Sequence, residues 1–176
     1  EAQKKFLESV YNVQNVKLLL GGGINANVKS INYISPSEND IIKRLPRKFA
    51  LYVGRLDYTK QILQLISMLN DKGENIPCVI LSRDLLAKSY LRDNIHYFHN
   101  LEDKLVNHIY SKCSCVISIG TSESHGLTVV EGHSKGKPVI VWHATEALTE
   151  KIQEGKNGLI ANSLEEVIQH LTNILE

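Results

Sequence analysis

Two short stretches of this sequence hold side chains whose types and spacing suit a charged, hydroxyl-rich ligand. The first, Val53-Gly54-Arg55-Leu56-Asp57-Tyr58-Thr59-Lys60, sets two cations between an apolar run and a helical pattern. A helix N-terminus already carries partial positive charge, so Arg55 and Lys60 there call for an anion between them. A pyrophosphate meets that need, and so does a solvated surface pair with Asp57 as salt-bridge partner; these eight residues leave both open. The second stretch, Gly120-Thr121-Ser122-Glu123-Ser124-His125-Gly126, leads into another helical pattern. Gly126 permits close backbone approach, and the amides of Gly126, Leu127 and Thr128 would form an anion-binding helix end. Glu123 precedes that helix and Glu131 lies inside it, eight positions on. Continuous helix would part them by about 12 Å, too far for a retaining glycosidase pair at about 5 Å. The spacing suits two carboxylates accepting hydrogen bonds from opposite ends of an elongated ligand. Glu146 and Glu154 share it and read as surface acids. Glu131 differs because it sits beside Val130 in a core-facing helix, where a carboxylate needs a polar partner or a ligand.

The elements that must position these groups alternate along the chain. Apolar runs at Phe49–Gly54, Cys78–Leu81, Ile95–Phe98, Cys115–Ile119, Val139–Trp142 and Gly158–Ala161 read as strands. Between them, Ile62, Leu65, Ile66 and Leu69 recur at helical spacing, as do Leu105, Val106, Ile109 and Tyr110. Further helices are expected over Leu85–Leu91, Leu127–Ser134, Ala147–Gln153 and the closing stripe from Leu164 to Leu175. Strands apolar on both faces, each followed by a helix, predict an α/β fold with a Rossmann-like doubly wound parallel sheet. Ligands of such sheets sit at the strands' carboxyl ends, where both candidate loops fall. Upstream, Gln3–Tyr11 reads as a helix and Asn15–Leu20 as a strand, followed by Gly21–Gly23. The polar stretch from there to Lys48, with Pro36 and Pro46, lacks periodicity and reads as a linker or hinge. Residues 1–48 are therefore expected to form an entering segment and 49–176 the ligand-binding domain.

Composition narrows the class. Of 176 residues, 20 are Lys or Arg and 19 Asp or Glu, a net charge of +1 that argues against a nucleic-acid partner. No apolar run reaches the twenty or so residues that span a bilayer. Cys78, Cys113 and Cys115 form no C-x-x-C pair and lie in or beside apolar runs, so they read as buried small hydrophobes in a reducing, cytoplasmic compartment rather than metal ligands. The sole methionine is Met68, so an excised domain or processed product is expected.

Taken in order, Glu123-Ser-His-Gly-Leu-Thr-Val-Val-Glu131, Gly136-Lys137-Pro138-Val139 and Gly155-Lys156-Asn157-Gly158-Leu159 resemble the C-terminal, donor-binding half of family-4 retaining glycosyltransferases of the GT-B fold. Gly54 to Lys60 is similar to the family's Gly-Arg-Leu-x-x-x-Lys, and Lys4 to Tyr11 with Gly23-Ile24-Asn25 to its entering segment. The resemblance implies a nucleoside diphosphate sugar as donor. Arg55, Lys60 and the amides of Gly126, Leu127 and Thr128 would take the diphosphate, Glu131 the ribose, and Glu123, as the catalytic carboxylate, the donor sugar. It implies no metal or other cofactor, and transfer of a hexosyl unit with retention to a glycan, lipid or protein acceptor. That acceptor would be held by an N-terminal domain absent from this chain, through which any peripheral membrane association would run.

The chain departs from the family pattern at His125, at Gln61 after the motif lysine, at Ser82-Arg83-Asp84 in place of Gly-x-Gly, and at Ala144-Thr145-Glu146 in place of a Gly-Gly loop. His125 reads as an orienting or packing group before a catalytic one. His99 and Asn100 would line a base pocket through their backbone, His133 would pack, and Trp142 with His143 would flank the sugar or cover the sheet edge. A catalytically silent nucleotide-sugar-binding or partner-stabilising module is the competing reading. A nicotinamide site at Gly21–Gly23 fails because no helix follows it.

Overall fold

A computed structural model describes residues 35–176. The helix, strand and glycine triplet expected within residues 1–34 lie outside this range. Six strands form one all-parallel sheet: β1 (Ala50–Val53), β2 (Cys78–Ser82), β3 (Ile95–His99), β4 (Cys115–Ser118), β5 (Val139–Trp142) and β6 (Gly158–Ala161), in the order β3-β2-β1-β4-β5-β6. This is the doubly wound, Rossmann-like arrangement that the alternating pattern predicts.

Alternation along β1 shows why both strand faces are apolar. Tyr52 faces a core layer with Ile80, Ile117 and Ile140, covered by helices α2 (Ile62–Lys72) and α6 (Leu164–Leu175). Leu51 faces the opposite layer with Val79, Val116 and Val141, covered by α3 (Asp103–Lys112), α4 (Leu127–Ser134) and the short α5 (Glu146–Thr149). Helix α2 buries Ile62, Leu65, Ile66 and Leu69, its i, i+3, i+4, i+7 stripe, and ends at Gly73 in the left-handed region. Gly132 brings α4 close to the sheet, since a Cβ there would lie 3.0 Å from Val139 and 3.1 Å from Val116.

Three expectations are corrected. The helix expected over Ala147–Gln153 is only the short α5, Glu146–Thr149. The stretch read as an aperiodic linker contains helix α1 (Pro36–Lys43). Ser35-Pro36-Ser37-Glu38 is a capping box with proline in the first turn: the Ser35 hydroxyl accepts from the Glu38 amide, and the Glu38 carboxylate accepts from the Ser35 amide at 2.8 Å. Ile41, Ile42 and Leu45 pack onto the Leu51 layer, and Arg44 stacks 5.3 Å from the Phe98 ring. The helix expected over Leu85–Leu91 is only a 3₁₀ turn, Lys88–Tyr90. Leu85 is 81% exposed, so the segment lacks a full apolar stripe. Its start is also tied down, the Asp84 carboxylate accepting the Leu56 amide at 2.7 Å and the Asp84 carbonyl the Tyr97 hydroxyl.

Glu38 also reaches Lys104 on α3 at 2.9 Å. That contact, then the two bonds from Ser35, hold its carboxyl down at about 2. A depressed carboxyl stabilises the fold fully above its ordinary value, and the stabilisation drains away as pH falls toward 2. Glu38→Gln should therefore lower the melting temperature at pH 7. The gap to wild type should narrow between about pH 4.5 and pH 2, which a thermal-denaturation series across that range measures.

Candidate functional site

The two central strands β1 and β4 pair with Tyr52 opposite Ile117, and their chains then leave in opposite directions, β1 toward β2 and β4 toward β5. A crevice opens where the crossovers part, the usual ligand position in such sheets. Residues 54–61 form one lip and 119–126 the other.

Backbone acceptors tie the lips together. Thr121 donates to the Thr59 carbonyl through its amide at 2.7 Å and its hydroxyl at 3.2 Å, and the Gln61 amide group donates to the Ile119 carbonyl at 2.8 Å. From the α5 side the buried Thr145 hydroxyl donates to the Gly120 carbonyl at 2.7 Å. Lys60 is not in the first turn of α2, as the sequence suggested. It ends a 3₁₀ turn (Tyr58–Lys60), after which Gln61, at φ 55°, breaks the chain direction before the helix begins. That left-handed position favours glycine, and Gln61 holds it through its bond across the crevice.

Both cations are paired. Arg55 is exposed and contacts Asp57 at 3.1 Å, so the surface pair that the sequence allowed does form. The Thr59 hydroxyl first, then Arg55, hold the Asp57 carboxyl below its ordinary value. Lys60, only 13% exposed, is bonded to Glu123 from the opposite lip and lies 3.4 Å from the Ser122 carbonyl. Gly120 makes room for this pair, since a Cβ there would lie 3.3 Å from Lys60 and 3.5 Å from Glu123. An ammonium has three donors, so Lys60 can hold Glu123 and still offer a proton to an anion.

Two cavities meet at Gly54 and Arg55. The smaller, about 190 Å³, is lined by Lys60, Gly120, Glu123 and Thr128. The larger, about 290 Å³, is lined by Arg83, Asn100, Leu101, Asp103 and Glu131. The two glutamates thus open into different chambers with a cation on the shared wall. Helix α4 begins at Gly126, φ 57°, with no side chain capping it, and its first bond runs from the Val129 amide to the Gly126 carbonyl at 3.0 Å. The amides of Leu127 and Thr128 precede that bond, and Thr128 lines the smaller cavity. A Cβ on Gly126 would meet Leu148 at 3.0 Å and the Ala147 carbonyl at 3.1 Å. Gly126→Ala should therefore cost about 2–4 kcal/mol in urea unfolding, left-handed strain plus overpacking. Gly136→Ala, at φ 67° with no atom within 4 Å, should cost only the strain.

Of the remaining candidates, only Asn100 lines either cavity. Asn100, at φ 51°, donates its amide to the Ser82 carbonyl and lines the larger cavity; the His99 ring sits 3.0 Å from the Arg83 carbonyl. His125 is exposed, its ring 2.8 Å from the Ser124 hydroxyl, and lines neither cavity. His133 contacts the Asn157 carbonyl at 3.1 Å, and the Trp142 ring tilts against His143. Sequence reasoning missed Tyr110, whose hydroxyl donates to Glu131 at 2.7 Å. It also took Ser82-Arg83-Asp84 only as a departure, although Asp84 anchors one lip and Arg83 lines the larger cavity. The expected burial of all three cysteines is observed, and it raises their thiols, Cys78 to about 12. Among the described residues no group of three His, Cys, Asp or Glu side chains gathers to hold a metal, and no helix is long and apolar enough to cross a membrane.

Fold and crevice define a doubly wound α/β domain that presents cations, carboxylates and an open helix end at its switch point. The chain belongs to the glycosyl transferases group 1 family, whose profile matches residues 34–176. An uncharacterised glycosyltransferase of Methanocaldococcus jannaschii is 28% identical over 172 residues, which is 92% of this chain and 45% of that protein. The chain thus spans less than half the length of this relative. Among solved structures, a glycosyltransferase from Rickettsia africae superposes with a TM-score of 0.75 at 17% identity, over 98% of this chain and 50% of that one. HepE of Anabaena, in complex with UDP and glucose, superposes with a TM-score of 0.63 at 20% identity, over 81% and 44%. The fold is that of the C-terminal half of a GT-B glycosyltransferase.

Proposed function

We propose that this chain is the donor-binding domain of a nucleotide-sugar-dependent glycosyltransferase that transfers a hexosyl unit with retention. The observation that carries the reading is the pair of cavities meeting at Arg55, one holding Glu131 and the other Lys60, Glu123 and the open end of α4. A nucleoside diphosphate sugar has the same order of parts. Its nucleoside fills the larger cavity with the ribose hydroxyls on Glu131, its diphosphate crosses Arg55 toward Lys60 and the amides of Gly126, Leu127 and Thr128, and its sugar projects to Glu123. The complex of HepE with UDP and glucose supports the ligand class. As the bond from sugar to phosphate breaks, negative charge gathers on the diphosphate, where fixed cations and aligned amides stabilise it most. They do so without a metal. The acceptor, a glycan, lipid or protein, belongs to a second domain outside this chain.

The test is a thermal-shift panel of UDP, GDP, ADP and their hexose conjugates, each with and without chelator. At one hundred times its dissociation constant a bound ligand stabilises by about 2.7 kcal/mol, which in a chain of this length raises the melting temperature by about 5–10 °C. One base series should give that rise, the free nucleoside much less, and chelator should change nothing. No shift from any diphosphate, or a strict need for magnesium or manganese, would overturn the reading. Retention is read from the anomeric configuration of the product of the full-length protein by NMR. Donor binding without any turnover there would favour the silent module.

A further inference from the structure

The phenol of Tyr110 is a buried polar group, bonded to a carboxylate of the site, that the proposed function leaves without a task. It lies on α3, where Asp103, Val106 and Tyr110 follow one another at i, i+3 and i+7. The first two line the larger cavity, and Tyr110 is one turn further down the same stripe, 2% exposed. Its hydroxyl donates to Oε2 of Glu131 at 2.7 Å. Burial, with the Glu131 charge behind it, drives the phenol far above its ordinary value, so it remains a donor at any physiological pH. Glu131 is half-buried and, among the described residues, this is the side-chain bond the structure gives its carboxylate. A charge-assisted bond is short and strong, so it favours those glutamate rotamers that keep Oε2 on the ring hydroxyl.

We propose that Tyr110 is a positioning residue for sugar selection in the nucleoside cavity: by holding Oε2 it leaves Oε1 of Glu131 aimed at the ribose hydroxyls, and so sets the preference for a ribonucleotide over a deoxyribonucleotide. Tyr110 acts only through Glu131 and touches no ligand. The helix that walls the base side of the cavity thus also aligns the carboxylate on its ribose side. The inference rests on the donor reading above.

Calorimetry of wild type and Tyr110→Phe, each titrated with UDP, GDP and ADP and with their 2′-deoxy and 3′-deoxy counterparts, tests it. In wild type at least one deoxy form should bind tenfold or more weakly than its ribonucleotide. Tyr110→Phe keeps the ring and its packing, so the deoxy affinities should barely move while the ribonucleotide loses threefold to tenfold and the ratio collapses. A role confined to packing would lower all affinities together, and an unchanged ratio overturns the proposal while leaving the donor reading intact. If no diphosphate binds wild type, the donor reading falls and this inference with it. Should Tyr110→Phe fold poorly, side-chain couplings of Glu131 in the ligand-free wild type decide: one rotamer supports the brace, averaging between rotamers overturns it.

Discussion

Lys60→Ala is expected to weaken nucleoside diphosphate binding about tenfold to a hundredfold while leaving the free nucleoside almost unaffected. A hydrogen bond to a charged group is worth about 1.5–3 kcal/mol, and 1.4 kcal/mol is a factor of ten. A second effect acts in the same direction. Lys60 is the ion-pair partner of Glu123, which is 24% exposed, so its removal leaves a shielded carboxylate facing the incoming anion. Arg55→Ala should cost less, because its guanidinium is 72% exposed and already paired with Asp57. Adding Glu123→Gln to Lys60→Ala removes the repulsion and should restore part of the lost affinity. Calorimetry of the three variants checks the order. Equal losses from Arg55→Ala and Lys60→Ala would mean that the pairing across the crevice has no part in binding, and no loss in either would remove the diphosphate from this wall.

The two glutamates should separate by ligand. Glu131 opens into the larger cavity and Glu123 into the smaller, on opposite sides of Gly54 and Arg55. Glu131→Ala should weaken nucleoside diphosphate and nucleotide sugar by similar factors, about tenfold to a hundredfold from a lost charged bond. It also leaves the Tyr110 hydroxyl buried without its partner. Glu123→Ala should weaken the nucleotide sugar and, in the full-length protein, depress turnover more than donor affinity. Free diphosphate should bind it as well as wild type or better, since Lys60 is then released from its carboxylate. Two variants titrated with two ligands give the answer. If Glu123→Ala weakens both ligands equally, or Glu131→Ala touches only the sugar, the donor lies the other way round.

How much of this was legible in the sequence depended on the distance over which each feature is encoded. The six described strands and helices α2, α3, α4 and α6 showed through because burial on both faces, or along one stripe, is written in neighbouring residues. Helix α1 was also written locally, in Ser35 and Glu38, and was missed because Pro36 was read as a turn residue instead of a first-turn one. The segment at Leu85 misled in the opposite sense: its leucines are spaced for a helix, yet one points to solvent. The pairings that shape the site lie between distant residues. Lys60 and Glu123 are 63 positions apart and Tyr110 and Glu131 are 21, so each pair exists only through the strand order. Tyr110 carried no signal beyond its helical spacing, which reads equally well as core. Gln61 did carry one, a non-glycine where the family pattern has glycine, and the structure gives the reason in its bond to Ile119.

The central claim, a diphosphate seated between the two lips of the switch-point crevice, is tested most directly by amide chemical-shift mapping of the chain as the tightest-binding nucleoside diphosphate is added. The expected result is saturable change confined to Gly54 and Arg55 on one lip, Gly120 and Gly126–Thr128 on the other, and Asn100–Leu101 beside the larger cavity, all shifted together to about tenfold to a hundredfold higher ligand concentration in Lys60→Ala. Perturbations centred elsewhere on the fold, or the same pattern persisting at full affinity in Lys60→Ala, would contradict it.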